Sequence, residues 1–177
     1  KLVQALALQI GNEISYNELG QMIEADKLTV ERYIDLLEQC FVVFRLGAYS
    51  KNLRNEVKKG KKIYFYDNGI RNAVIQNFSP LSLRQDTGQL FENYMVCEFI
   101  KANSNQIKHA KHFFWRSFQQ QEIDLIEEFE GNLTAYEIKW NENKKVKFPT
   151  TFTNVYQNVQ TKVINKKNYT DLLVRSF

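Results

Sequence analysis

Four residues of this chain are so placed that they could together hold a metal ion and a water: Glu92, Asp124 and Glu137 as acids, and Lys139 as a cation beside them. Three of them lie between Gln121 and Phe148, in QEIDLIEEFEGNLTAYEIKWNENKKVKF, which reads as two strands joined by a turn at Gly131-Asn132. Side chains alternate along a strand, so Glu122, Asp124 and Ile126 share one face of the first, and Ile123 and Leu125 the other. On the second strand Ala135, Glu137 and Lys139 separate from Tyr136, Ile138 and Trp140. A wet strand face often carries Glu and Lys with no further purpose, and each residue taken singly has that explanation. Glu92 fits it worst. Plotted at about 100° per residue, the segment from Gly88 to Asn103 places Glu92 inside the apolar arc of Phe91, Met95, Val96, Phe99 and Ile100. Glu98 and Lys101 fall on the opposite face. A carboxylate turned toward a core needs a cation, a donor or a proton.

The elements that must position these residues follow in order. The helix from Gly88 comes first, then a strand in KHFFWRSF that carries Arg116, then the two strands above. A helix marked by Val155, Val159 and Tyr156 and a final strand in YTDLLVRSF close the chain. The order is helix, strand, strand, strand, helix, strand.

Upstream, Leu2, Leu6, Ala7 and Ile10 recur at helical spacing until Gly11. A second helix buries Leu19, Met22 and Ile23. A third, capped by Thr29, presents Val30, Tyr33, Ile34, Leu36, Leu37 and Cys40 to the core. FVVFRLGAYS and KKIYFYD read as two strands. Three helices and a two-stranded ribbon are the order of a winged helix, with helices two and three spaced as a helix-turn-helix. The exposed candidates on the third helix, Lys27, Thr29, Glu31, Arg32 and Asp35, are mixed in charge. Lys51, Arg54, Lys58, Lys59, Lys61 and Lys62 fall on the wing, where they can grip phosphates or keep a solvated hairpin from associating. Winged helices also dock proteins. Asp67 or Asn68 caps a further helix packed by Ile70, Ala73, Val74 and Phe78, and SPLSLRQDTG is the seam between the halves. The divisions are 1–67 for the winged helix, 68–87 for the connection and 88–177 for the rest.

Composition bounds the reading. The 177 residues are 44% hydrophobic and 14% aromatic, enough to bury a core. A net charge of +4 is compatible with nucleic acid without demanding it. NEVKKGKK lacks the upstream glycine and following Ser/Thr of a phosphate-binding loop, and there is no GxGxxG, HExxH or CxxC. His109 and His112 are too few for a convincing zinc site. Cys40 and Cys97 sit in apolar helical contexts and read as reduced, which points to the cytoplasm. No apolar run has membrane-spanning length. Lys1 opens inside an apolar-periodic segment, which predicts a piece of something longer.

In order, YFYDNGIRNAVI, GQLFENYMVCEFI, FFWRSF, EIDLI and YEIKW resemble the PD-(D/E)XK nuclease-like superfamily, with its restriction-endonuclease-like αβββαβ core. More closely, they resemble the C-terminal region of a group of prokaryotic AAA-type ATPases, which join an ATPase module to a winged helix and a nuclease-like domain. The superfamily's acidic and lysine positions fall on Glu92, Asp124, Glu137 and Lys139, with its leading Pro-Asp reduced here to Ile-Asp. The resemblance implies that Asp124, Glu137 and a backbone carbonyl near Ile138 hold Mg²⁺ or Mn²⁺, with Glu92 completing the shell. Lys139 would position the attacking water, and Arg116 would contact phosphate or pair with an acid. It further implies a DNA substrate, ATP bound only on an N-terminal ATPase module outside this chain, and a homo-oligomer. The alternative is a catalytically silent nuclease fold kept for docking protein or nucleic acid, or for regulating the ATPase.

Overall fold

The computed structural model describes residues 1–50, 60–105, 109–156 and 158–174. Lys51, Arg54, Lys58 and Lys59, four of the expected wing cations, lie outside the described residues. The chain is mixed α+β and divides into two units, Lys1–Leu46 with Gly60–Cys97, and Gly47–Lys59 with Glu98–Phe177. This differs from a division into consecutive stretches, because one strand and one helix each run from the first unit into the second.

In the first unit the order is α1 (Leu2–Leu8), β1 (Glu13–Ile14), α2 (Tyr16–Ile23), α3 (Lys27–Gln39), β2 (Val43–Ala48), β3 (Lys61–Phe65) and α4 (Asn68–Val74). A short 3₁₀ turn (Leu81–Leu83) then leads to α5 (Thr87–Asn105), whose residues to Cys97 belong here. Strand β3 lies between β1 and β2, with Glu13 opposite Lys62. Leu2, Leu6, Ala7 and Ile10 bury as their spacing predicts, together with Leu19, Val30, Ile34, Val43, Ile63 and Phe65.

Helix α3 starts earlier than Thr29. Asp26 is its N-cap, accepting the Thr29 N–H at 2.9 Å and the Thr29 hydroxyl at 2.6 Å. Its core stripe is also narrower than its apolar content suggests. Tyr33, Leu36 and Cys40 are exposed, as is Met22 on α2, because Val30 and Ile34, one turn apart, already fill the contact. On α4, Asp67 is the cap (2.8 Å from the Ile70 N–H), but Ile70 and Phe78 face water. The buried residue is Arg71, which donates to the Ala7 carbonyl at 2.9 Å and pairs with Asp86.

The second unit contains the end of β2, the rest of α5, then β4 (Lys111–Arg116), β5 (Glu122–Phe129), β6 (Asn132–Ile138), α6 (Thr150–Thr153), β7 (Gln160–Ile164) and α7 (Tyr169–Val174). The strand order is β2, β4, β5, β6, β7. Gly47 and Ala48 run parallel to Phe113 and Phe114, β5 is antiparallel to both β4 and β6, and β7 is parallel to β6. One side packs Trp115, Ile123, Ile126 and Ala135 against Phe152 and Tyr156 from and just after α6. Elsewhere in this unit Phe99 of α5 packs against Tyr136, ring centres 4.8 Å apart.

The register shifts between Phe113 and Trp115, so Ile123 and Ile126, three residues apart, enter one apolar cluster. Strict alternation along β5 therefore fails at this irregularity, which is the usual consequence of a β-bulge. The C-terminal expectations also change. The last strand is Gln160–Ile164, and the segment from Tyr169 is helical through Val174. The turn between them is held by Asn168, whose side chain accepts the Asn165 N–H at 2.8 Å and donates to the Val163 carbonyl at 2.8 Å. Helix α6 spans four residues and buries Phe152, while Val155 is exposed.

Candidate functional site

The last registered pair of the β5–β6 hairpin at this end is Leu125 with Tyr136, and one step beyond it lie Asp124 and Glu137. Both acids are buried, at 6% and 7% exposure. Two ionised carboxylates so placed repel each other, and the chain answers with Lys139. Its ammonium lies 2.6 Å from Asp124 Oδ2 and 2.7 Å from Glu137 Oε2. Asp124 Oδ2 also accepts the Ile138 N–H at 2.7 Å. The Lys139 N–H donates to the Ile164 carbonyl at 2.8 Å, so β7 fixes the backbone from which the ammonium reaches back.

The electrostatics follow from that geometry. Burial, then the neighbouring Asp124, push the Glu137 carboxyl up to about 6, with Lys139 pulling the other way. Burial works against the Lys139 cation, but Asp124 and Glu137 outweigh it and hold the ammonium well above the usual lysine range. Lys139 is thus held as a cation between the two acids.

Glu137 and Lys139 open onto a cavity of about 400 Å³, whose wall also includes Gln121, Glu122, Lys145 and Lys147. The two additional lysines are exposed. Sequence reasoning missed them because they follow β6 in a segment without regular structure; the signal was the KKVK run after YEIKW. Arg116 lies 3.7 Å from Glu122 Oε2, an acid outside the Asp124–Glu137 pair.

Among the described residues no three His, Cys, Asp or Glu side chains converge as a metal-binding group. Asp124 and Glu137 are a pair, and their shared excess of negative charge suits a hard divalent cation. Mg²⁺ in particular is commonly held by one or two carboxylates, with waters and substrate oxygens filling the remaining positions. The two acids fit such an ion.

Glu92 belongs to the first unit, and its carboxylate is engaged there. Oε1 accepts the Tyr64 hydroxyl at 2.8 Å and lies 3.5 Å from the Lys62 ammonium. The cation and donor that a core-facing carboxylate requires are thus supplied from β3. The same oxygen would lie 3.2 Å from a Cβ at Gly11, whose φ of +74° also favours glycine. Lys62 is 1% exposed and turned inward, which corrects its expected place among the wing cations; Lys61 is half-buried.

The fold and the paired acids with their lysine describe a mixed α+β chain with a candidate cation site on a β-hairpin. Residues 1–82 match a family described as a domain of unknown function (DUF8612), and residues 87–173 one described as a domain of unknown function (DUF4143). The gap between the two matches, residues 83–86, falls inside SPLSLRQDTG. Uncharacterized proteins of Mycobacterium bovis and Mycobacterium tuberculosis are each 26% identical over 136 residues, covering 76% of this chain and 30% of theirs. An uncharacterized protein of Methanocaldococcus jannaschii is 30% identical over 105 residues, covering 55% of this chain and 22% of its own. The chain thus spans less than a third of the length of these relatives. No solved structure matches. No helix among the described residues is long and apolar enough to cross a membrane.

Proposed function

We propose that the second unit is a PD-(D/E)XK nuclease-like domain that hydrolyses phosphodiester bonds of DNA with Mg²⁺ or Mn²⁺, and that the first is a winged helix. In this reading both are the C-terminal part of a longer cytoplasmic protein with an AAA-type ATPase module. The observation that carries it is the convergence of Asp124 and Glu137 on Lys139, with Glu137 and Lys139 at the wall of a cavity that also presents Lys145 and Lys147. Further support comes from the element order of each unit and from the length of the relatives.

Asp124 and Glu137 would hold the cation through their carboxylate oxygens. Bound there, it supplies Lewis acidity toward a phosphoryl oxygen and makes a bound water more acidic. The chain's own residues do the rest. Lys139, fixed as an ammonium, orients the attacking water and offsets negative charge building on the phosphate. Lys145 and Lys147 hold flanking phosphates from the cavity wall. Glu92 is assigned to the packing of the first unit, through Lys62 and Tyr64.

The test is calorimetric titration of Mn²⁺ into the parent chain and into Asp124→Ala and Glu137→Ala, followed by cleavage assays that include Lys139→Ala. Binding that both acid variants lose, with cleavage that Lys139→Ala abolishes, is the expected result. Binding that survives both substitutions sinks the metal assignment. Glu92→Gln should bind Mn²⁺ as the parent does and melt at a lower temperature; weakened metal binding would return Glu92 to the site.

A second reading, protein docking by the first unit, is favoured by the outer face of α2 and α3. Met22, Leu28, Tyr33 and Leu36 are all more than half exposed there, where a base-reading helix would offer polar side chains. Docking would survive every substitution at Asp124, Glu137 and Lys139.

A further inference from the structure

Phe118 is 104% exposed, the most exposed large hydrophobic residue among those described. It sits in the turn between β4 and β5, and this turn is well determined by its own bonds. The Gln120 N–H donates to the Ser117 carbonyl at 3.1 Å, and the Ser117 N–H to the Gln121 carbonyl at 2.9 Å. The Gln121 N–H is 3.2 Å from the Ser117 hydroxyl, and Gln120 takes the left-handed conformation at φ 63°. The base of the turn is tied down as well, since Thr151 donates its hydroxyl to Gln121 Oε1 at 2.6 Å. A bonded turn thus holds an aromatic ring in water.

Gln121 also lines the cavity that contains Glu137, Lys139, Lys145 and Lys147. Phe118 is three residue steps from it, a reach of at most ~11 Å along the chain. At the ~3.4 Å rise of a helical strand that reach is roughly three base steps, and it is fewer on an extended strand. The turn Ser117–Gln121 carries no carboxylate and offers hydroxyl and amide groups beside the ring. One ring set among amides is a small footprint for a protein partner, which usually buries a contiguous apolar patch. It matches the face of one unpaired base, with the cavity lysines matching the adjacent phosphates.

We infer that Phe118 stacks on an unpaired base of the nucleic acid strand entering the cavity, so that the preferred substrate is single-stranded or locally opened DNA. The inference rests on the nucleic-acid reading above. It deepens that reading by naming the substrate class and the residue that selects it, since every base has a face on which an aromatic side chain can stack.

The experiment is fluorescence anisotropy with labelled single-stranded and duplex oligonucleotides, in chelator so that nothing is cleaved, on the parent, Phe118→Ala and Phe118→Trp. The parent should prefer the single strand. Phe118→Ala should weaken single-strand binding on the order of tenfold and leave duplex binding nearly unchanged. Phe118→Trp should restore binding, and its emission should be quenched by the single strand beyond the quenching of the parent's Trp115 and Trp140. Phe118→Ala binding both DNAs as the parent does overturns the inference and leaves the nucleic-acid reading standing, with the ring then serving a protein partner. Equal weakening on both DNAs also overturns it. A parent that binds neither DNA removes both readings together.

Discussion

Glu137 shows what the site demands of a single residue. Its carboxyl is held near 6 in the folded chain, above its ordinary value of 4.5, by burial and by Asp124. A raised carboxyl pKa means that the folded state keeps the proton longer than the unfolded chain does. The associated stability is intact below about 4.5, falls as pH rises through 6 and then levels off. That shift corresponds to about 2 kcal/mol at neutral pH. Glu137→Gln should abolish this fall and leave the chain at least as stable as the parent at pH 7.5, as read from urea midpoints at several pH values. Mn²⁺ affinity in the parent should show the opposite trend and weaken below pH 6, because the ion competes with the proton. A parent whose stability is flat from pH 4.5 to 7 would remove the strained acid pair from the account.

At the scale of elements, the first unit is fastened by a charge network on the loop between α4 and α5. Asp86 accepts from Arg84 at 2.8 Å through both of its oxygens and from Arg71, and both arginines are buried. Arg84, then Arg71, hold the Asp86 carboxyl well below the usual carboxylate range against the opposing effect of burial. The sign is opposite to that of Glu137. This contribution is present above the ordinary carboxylate value and is lost as pH falls below it. Asp86→Ala should cost about 3 kcal/mol, because it strands two buried guanidinium groups. Asp86→Asn should flatten the acid limb of the stability curve below pH 4; an unchanged acid limb would mean that the network is not what fails in acid. None of this was legible in the sequence, where Asp86 read only as part of a seam. Networks of this kind join residues whose contact depends on tertiary packing, and no periodicity announces them. Periodicity did find Asp124, Glu137 and Lys139, because neighbouring β-strands display them at a spacing of two. It misplaced Ile123, where the register shift breaks that spacing, and the final strand, where the aromatic and apolar residues of YTDLLV suit a short helix equally well.

At the scale of the whole molecule, a net charge of +4 decides little, and what matters is where the cations lie. Lys139 is taken by its two acids, Lys62 by Glu92, and Arg45 by Glu38 and Asp35. Each of these cations is held internally, so counting basic residues overstates what the chain offers a polyanion. Lys145 and Lys147 differ in being exposed on the wall that Glu137 and Lys139 share. If they grip phosphates, each displaces a counterion, and affinity falls with salt in proportion to the number of such contacts. Replacing both by alanine should therefore weaken DNA binding most at low salt. It should also flatten the plot of log affinity against log salt by roughly 1.4 on a single strand and roughly 1.8 on duplex DNA. Phe118→Ala should leave the slope unchanged, because stacking releases no counterion. The two effects thus separate within one titration series of anisotropy curves at several salt concentrations. An unaltered slope in the double lysine variant would assign those lysines to solvent. DNA binding would then have to come from other cations of the chain, and the paired acids would remain as a cation site whose substrate lies elsewhere.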